Sequence, residues 1–226
     1  MKKQSGSRRP ITGLLILTAL AAACATGWYV LWPSEEHTPS LAANAGYEIS
    51  SHDHTLGNRN AKVVVIEYAA PVCPHCANFN QNHFRDLKAH YIDTGKVFYV
   101  FRIYPVRPGD GPAARLAACL PEEQFLPFMD LLFRSQPDWD ADEYPGANLH
   151  DGLIRLARIA HITPQRAEHC MADTTQDAEI NRTAADAESR YGVHSTPTFV
   201  INGLPHENLP FDRLPKLLDQ ALTAAQ

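Results

Sequence analysis

The chain has 226 residues, 45% of them hydrophobic and 20% charged; this excludes an intrinsically disordered tail or a collagen-like repeat and leaves room for one full-sized domain with a remainder. The formal charge of −5 is unevenly spread: Lys2, Lys3, Arg8 and Arg9 are the only charges in residues 1–32, which leaves −9 on residues 33–226 and argues against a nucleic-acid-binding domain. Five cysteines are too few for a disulfide-dense mini-protein and an odd number for simple pairing.

From Ile11 to Trp32 the chain carries no charge for 22 residues. A helix of that length spans roughly 33 Å, enough to cross a bilayer core. Basic residues precede the run, Glu35 and Glu36 follow it, and Trp28, Tyr29 and Trp32 sit at its far end. The positive-inside bias therefore places everything after Pro33 outside the cytoplasm. Three readings of residues 1–32 stand side by side. One is an uncleaved signal anchor, another a signal peptide cut near Ala21–Ala25, the third a lipoprotein acylated at Cys24. In a bacterial cell each delivers the rest of the chain to an oxidising compartment, either anchored on the periplasmic side of the inner membrane or soluble in the periplasm.

Residues 33–60 are polar, with Pro33, Pro39, Gly46 and Gly57 and no sustained periodicity; residues 33–46 are assigned as a tether and 47–226 as the domain. The β-branched run Val63-Val64-Val65-Ile66 predicts a strand buried on both faces. Phe84, Leu87 and Tyr91 predict an amphipathic helix over residues 74–92, closed by Asp93-Thr94-Gly95. A second strand follows from Val97 to Tyr104. Residues from about 110 to 191 read as all-helical, with an N-cap and N1 proline at Thr163-Pro164. Strand character returns at Thr198-Phe199-Val200-Ile201, then an Asn202-Gly203 hairpin turn and a last helix from about Phe211 to Ala224. The order is α/β, with an all-helical insertion between the second strand and the strand after Pro197.

Cys73-Pro74-His75-Cys76 falls at the junction of the first strand and its helix. Cys73 occupies the N-cap, where free N–H groups and the positive end of the helix dipole favour a thiolate. Pro74 suits N1, His75 adds a donor or a charge, and Cys76, one turn on, can close a disulfide ring with Cys73. Stabilising the thiolate stabilises the reduced form and makes the disulfide a stronger oxidant. A zinc knuckle would need a second ligand pair, and a soft-metal site on Cys73, His75 and Cys76 lacks a fourth ligand, so no metal is assigned. Glu67, six residues before Cys73, is either a titrating acid able to relay a proton to Cys76 or an edge-of-sheet carboxylate facing water. Pro197, after Ser195-Thr196, enters a strand without an N–H to donate, leaving a backbone edge open to an incoming peptide.

VVVIEYAAPVCPHC, the helical insertion and GVHSTPTFVING together resemble the DsbA-type thiol:disulfide oxidoreductases of the thioredoxin superfamily, over nearly all of residues 47–226. The resemblance implies a thioredoxin fold with an exposed nucleophile at Cys73, a buried resolving cysteine at Cys76, tuning by His75 and a buried acid at Glu67. It also implies substrate contact at Thr196 and at a cis-Pro197. It implies further a monomer without a bound cofactor, acting on reduced, unfolded exported proteins and reoxidised by a quinone-linked membrane partner of the DsbB type. The Pro-His pair resembles that of oxidising members; a reductase or isomerase of the same fold is the alternative, and a copper- or peptide-binding module a more distant one. Cys119 and Cys170 are read as a structural disulfide pinning two insertion helices, as in some DsbA-like proteins, against two buried free thiols.

Overall fold

The structure is a computed structural model in which residues 49, 50 and 53–225 are described. The apolar run of residues 11–32, Cys24 and the tether of residues 33–46 lie outside the described residues. Among the described residues no helix is long and apolar enough to cross a membrane.

The β-branched run becomes strand β2 (Val63–Ala69), with all seven residues buried. It lies third in a five-stranded mixed sheet of order β1-β3-β2-β4-β5. β1 is His54–Gly57, β3 Val97–Ile103, β4 Thr198–Ile201 and β5 Leu204–Glu207. β2 pairs in parallel with β3, Val65 opposite Tyr99, and antiparallel with β4, Glu67 opposite Phe199. Side chains alternate across a strand. Val63, Val65 and Ala69 accordingly join the larger core, while Val64, Ile66 and Tyr68 join a second core on the opposite face with Ala187 and Val193. Asn202 and Gly203 turn the β4–β5 hairpin with φ of 47° and 85°, the left-handed pair such a tight turn requires.

Helix α1 spans residues 74–92, but not as the uniform α-helix its periodicity predicts. It is α-helical at Pro74–Phe79 and Arg85–Leu87 and π-helical at Asn80–Phe84 and Lys88–Ile92. The insertion supplies α2 (Asp110–Ala118), α3 (Glu122–Arg134), α4 (Gln136–Trp139), α5 (Leu149–Ile159), α6 (Pro164–Ala172) and α7 (Asp177–Tyr191). Thr163 caps α6 by accepting the Arg166 N–H at 3.3 Å. The final helix α8 is Leu214–Ala224, its expected first turn at Phe211–Arg213 being a separate 3-10 turn. The other difference is β1, which lies within a segment read as polar and aperiodic. Four residues are too short for an alternation signal, and it is the pairing with β3 that makes them a strand.

Cys119, at the C-terminus of α2, is disulfide-bonded to Cys170 in α6, 51 residues away with Cα atoms 5.9 Å apart. Helix α4 is short and held from both sides. The Trp139 indole N–H donates to the Leu132 carbonyl at 2.9 Å, and Trp139 is fully buried. Gly152 of α5 lies so close that a Cβ there would meet Trp139 Cβ and sit 2.7 Å from the Asp138 carbonyl oxygen, which is backbone and cannot swing away. Replacing a mid-helix glycine by alanine gains about 1 kcal/mol in propensity, whereas forcing an extra methyl into a packed contact costs about 1–3 kcal/mol. Gly152→Ala is therefore expected to lower the unfolding midpoint; a raised midpoint would mean that helix propensity outweighs the contact.

Candidate active site

β2 ends at Ala69, and Ala70, Val72 and Cys73 continue beneath the surface into α1. Cys73 is the N-cap, in extended conformation (φ −78°, ψ 117°), and its sulfur accepts the Cys76 N–H at 3.3 Å. Pro74 sits at N1, where no N–H is needed. Cys73 and Cys76 are both free thiols, and both are enclosed: Cys73 is 5% exposed and Cys76 fully buried. The resemblance implies an exposed nucleophile; the structure instead buries Cys73, because the turn before it is packed into the core. His75 and Pro74 form the exposed part of the motif.

The Cys73 sulfur ionises near 6, well below an ordinary thiol. The largest cause is the hydrogen bond from the Cys76 thiol; against the desolvation that opposes them, the Thr196 hydroxyl and the N–H groups of Cys76 and His75 add to it. His75 thus contributes through its backbone N–H, where the sequence suggests its imidazole. Cys76 is pushed the other way, chiefly by burial. The pair therefore divides into one sulfur that holds negative charge and one that holds a proton. Glu67 is 2% exposed, so it is a buried carboxyl and not one facing water at the edge of the sheet. Desolvation raises its carboxyl to about 8, opposed by a 2.5 Å hydrogen bond from the Tyr99 hydroxyl and reinforced by the Cys73 charge.

The Thr196–Pro197 peptide is cis, and the Thr196 carbonyl accepts a 3.3 Å hydrogen bond from the Cys73 thiol. The loop before it is fixed by Glu207 of β5, whose carboxylate accepts the N–H groups of His194 and Ser195 at 2.6 and 3.1 Å. The Thr198 hydroxyl donates to the Ser195 carbonyl at 2.7 Å. Thr196, Pro197, His75, Asn208, Leu209, Pro210 and Phe211 line an open groove of about 320 Å³. Apolar rings and an exposed motif histidine on its wall suit an extended peptide with apolar side chains next to its cysteine. Among the described residues no group of three or more His, Cys, Asp or Glu side chains is placed to hold a metal ion.

Sequence reading misses the side chains that hold the turn before Cys73. Asp110, fully buried, accepts the Val72 N–H at 2.9 Å and those of Val106 and Arg107 at 2.8 and 2.9 Å. The Arg107 guanidinium donates to the Val72 carbonyl at 2.7 Å. The Gln136 amide donates to the carbonyls of Pro71 and Cys73 at 2.8 and 3.1 Å. Tyr99 likewise reaches Glu67 from the neighbouring strand. A buried tyrosine on the face of β3 shared with Glu67 is the one available signal; the others lie 35 to 65 residues from the turn groups they hold, and nothing in the sequence links them to it.

The depressed Cys73 group makes the reduced fold pH-dependent in a defined direction. Between the folded value near 6 and the ordinary value of 9 the unfolded chain binds more protons at Cys73 than the fold does, so the contribution is complete above 9 and lost as pH falls through 6. At about 1.4 kcal/mol per pH unit the full effect is of order 4 kcal/mol. The stability of the reduced protein relative to Cys73→Ser, measured by denaturant unfolding, is expected to grow as pH rises from 6 to 9. A difference independent of pH would contradict the assignment.

A thioredoxin family model matches residues 50–220. A Rickettsia typhi protein named "Putative protein-disulfide oxidoreductase" is 30% identical over 191 residues, which cover 83% of this chain and 68% of that protein. "Disulfide bond formation protein D" of Bacillus subtilis is 27% identical over 176 residues, covering 74% of this chain and 76% of that one. The crystal structure of Wolbachia pipientis α-DsbA1 superposes with a TM-score of 0.70 at 27% identity, covering 78% of this chain and 94% of that one. With the strand order, the helical insertion and the cysteine pair at the head of α1, these likenesses place the chain in the thioredoxin family, as a DsbA-type thiol–disulfide oxidoreductase.

Proposed function

We propose that this chain is a dithiol oxidase that introduces disulfides into exported proteins, with Cys73 as the attacked sulfur and Cys76 as the resolving one. The observation that carries this direction is the Cys73 sulfur, held near 6 at the head of α1. A stabilised thiolate stabilises the reduced enzyme, so its disulfide gives up its oxidising equivalents readily.

In the reaction a substrate thiolate attacks Cys73 Sγ of the enzyme disulfide. The Cys73–Cys76 bond breaks and Cys76 leaves with the electron pair. Cys76, whose pKa burial raises, takes a proton, and Glu67, protonated below about 8, supplies it. The substrate's second thiolate then attacks the substrate sulfur of the mixed disulfide and expels Cys73 as a thiolate. One substrate disulfide has formed and two electrons rest on the enzyme dithiol. The backbone at Thr196–Pro197 and the groove beside it hold the peptide extended across Cys73. The reduced enzyme passes its electrons to a quinone-linked membrane reoxidase of the DsbB type.

Residues 1–32 serve in this reading as the export segment, an anchor or a cleaved leader, and residues 33–46 as a tether. The catalytic domain, residues 47–226, then works as a monomer on the periplasmic side of the membrane. Cys119–Cys170 is structural in this reading, joining α2 to α6 within the insertion.

Mixing the oxidised chain with a reduced, unfolded protein that needs one disulfide tests the direction. The wild type is expected to convert about one substrate dithiol per enzyme molecule. Cys73→Ser is expected to convert none, and Cys76→Ser, once charged with a thiol reagent at Cys73, to accumulate mixed disulfide. Full oxidation by Cys73→Ser, or a wild type that only reduces disulfides, would contradict the proposal.

A further inference from the structure

The turn from Pro71 to Cys73 has five backbone hydrogen-bonding groups, proline contributing no N–H, and each is satisfied. The Cys73 N–H donates to the Ala70 carbonyl at 3.0 Å, and the Cys73 carbonyl accepts the Ala77 N–H at 3.0 Å within α1. The Val72 N–H goes to Asp110 and the Val72 carbonyl to Arg107. The Pro71 carbonyl goes to Gln136, which also gives a second donor to the Cys73 carbonyl. The thioredoxin strands thus leave the nucleophile's turn to be held by side chains from in and just before the insertion.

Gln136 differs from the other two. It is 1% exposed, and both hydrogens of one amide nitrogen are used on carbonyl oxygens. Carbonyls only accept, so the orientation of the amide is fixed by its partners. One of those partners belongs to Cys73 itself, so the amide dipole points its positive end at the residue whose sulfur must hold a negative charge. Its helix is pinned by the Trp139 indole and by the close approach of Gly152, which fixes where the amide can stand.

We propose that Gln136 is a positioning residue of the redox centre: from α4 its amide fixes the Pro71 and Cys73 carbonyls, sets the Cys73 sulfur over the N-terminus of α1, and so tunes the Cys73–Cys76 couple. Without the two donors, the Pro71 carbonyl is buried without a partner and the negative end of the Cys73 carbonyl is less compensated beside the sulfur. Both effects disfavour the thiolate, and a disfavoured thiolate makes the enzyme disulfide a weaker oxidant. The inference rests on Cys73 being the ionising sulfur, and its test keeps the two claims apart.

The near-isosteric Gln136→Met, and Gln136→Glu as a second variant that keeps the shape but presents oxygens to the carbonyls, are compared with Arg115→Met. Arg115 donates to the Met171 carbonyl at 2.8 Å and pairs with Asp177 at 2.8 Å, so its loss loosens the insertion without touching the turn. Thiolate absorbance of each reduced protein is followed against pH, together with its equilibrium with glutathione and its thermal unfolding. Both Gln136 variants are expected to raise the Cys73 midpoint by about one pH unit and to shift the glutathione equilibrium roughly three- to tenfold toward the enzyme disulfide. Arg115→Met is expected to lose thermal stability with its midpoint unmoved. Gln136 variants that lose stability as Arg115→Met does, with the wild-type midpoint retained, would show a purely structural glutamine and overturn the proposal. A low midpoint that persists in Cys73→Ser would instead overturn the assignment of Cys73, and the role of Gln136 with it.

Discussion

Everything distinctive about this molecule depends on one placement: a sulfur at the N-cap of a helix, accepting the N–H one turn on at 3.3 Å. A helix N-terminus offers unpaired N–H groups and a partial positive charge. Placing a sulfur there is useful only if the chain arrives at the right angle, and β2 sets that angle. It is the central strand, paired on both sides and buried along its length, so Cys73 inherits the rigidity of the most constrained segment of the sheet. The same rigidity explains why Cys73 is nearly enclosed. A turn pulled into the core cannot present its sulfur on a projection, and the sulfur meets the groove beside Pro197 only through Thr196, which lines it and whose carbonyl accepts from the Cys73 thiol.

The two cysteines show how a short distance can separate two chemistries. They lie one helical turn apart, yet one is drawn toward the thiolate by directed donors and the other kept protonated by burial. Glu67 extends that division into the sheet. A lone carboxylate in such a position is costly as an anion, so it stays protonated across the neutral range, and the Tyr99 hydroxyl opposes part of the cost without removing it. The fold thus sets a buried, neutral carboxyl in electrostatic contact with both sulfurs, one of which favours the thiolate and the other the thiol.

What the sequence disclosed, and what it withheld, follows from range. The Cys73-Pro74-His75-Cys76 head, the β-branched β2 and the Asn202-Gly203 hairpin are local patterns, in which each residue's role is decided by its near neighbours. The short edge strand β1 was withheld because its four residues gain their order from β3 rather than from themselves. Tyr99, Arg107, Asp110 and Gln136 were withheld for the same reason at longer range. Nothing beside Gln136 marks it as different from any polar residue between helices; its significance lies in carbonyls 63 and 65 residues away. The π-helical turns of α1 were likewise invisible to a periodicity that Leu87 and Tyr91 satisfy with their burial in either form of helix.

The central claim is that the geometry at the head of α1 favours the reduced form of the Cys73–Cys76 couple. The most direct test is the reduction potential of that couple, obtained by equilibrating the whole chain with glutathione at fixed pH. The account predicts a value well on the oxidising side of thioredoxin, whose couple lies at roughly −270 mV. A value at or below that of thioredoxin would contradict it, because the stabilised thiolate would then have no expression in the equilibrium it is held to control.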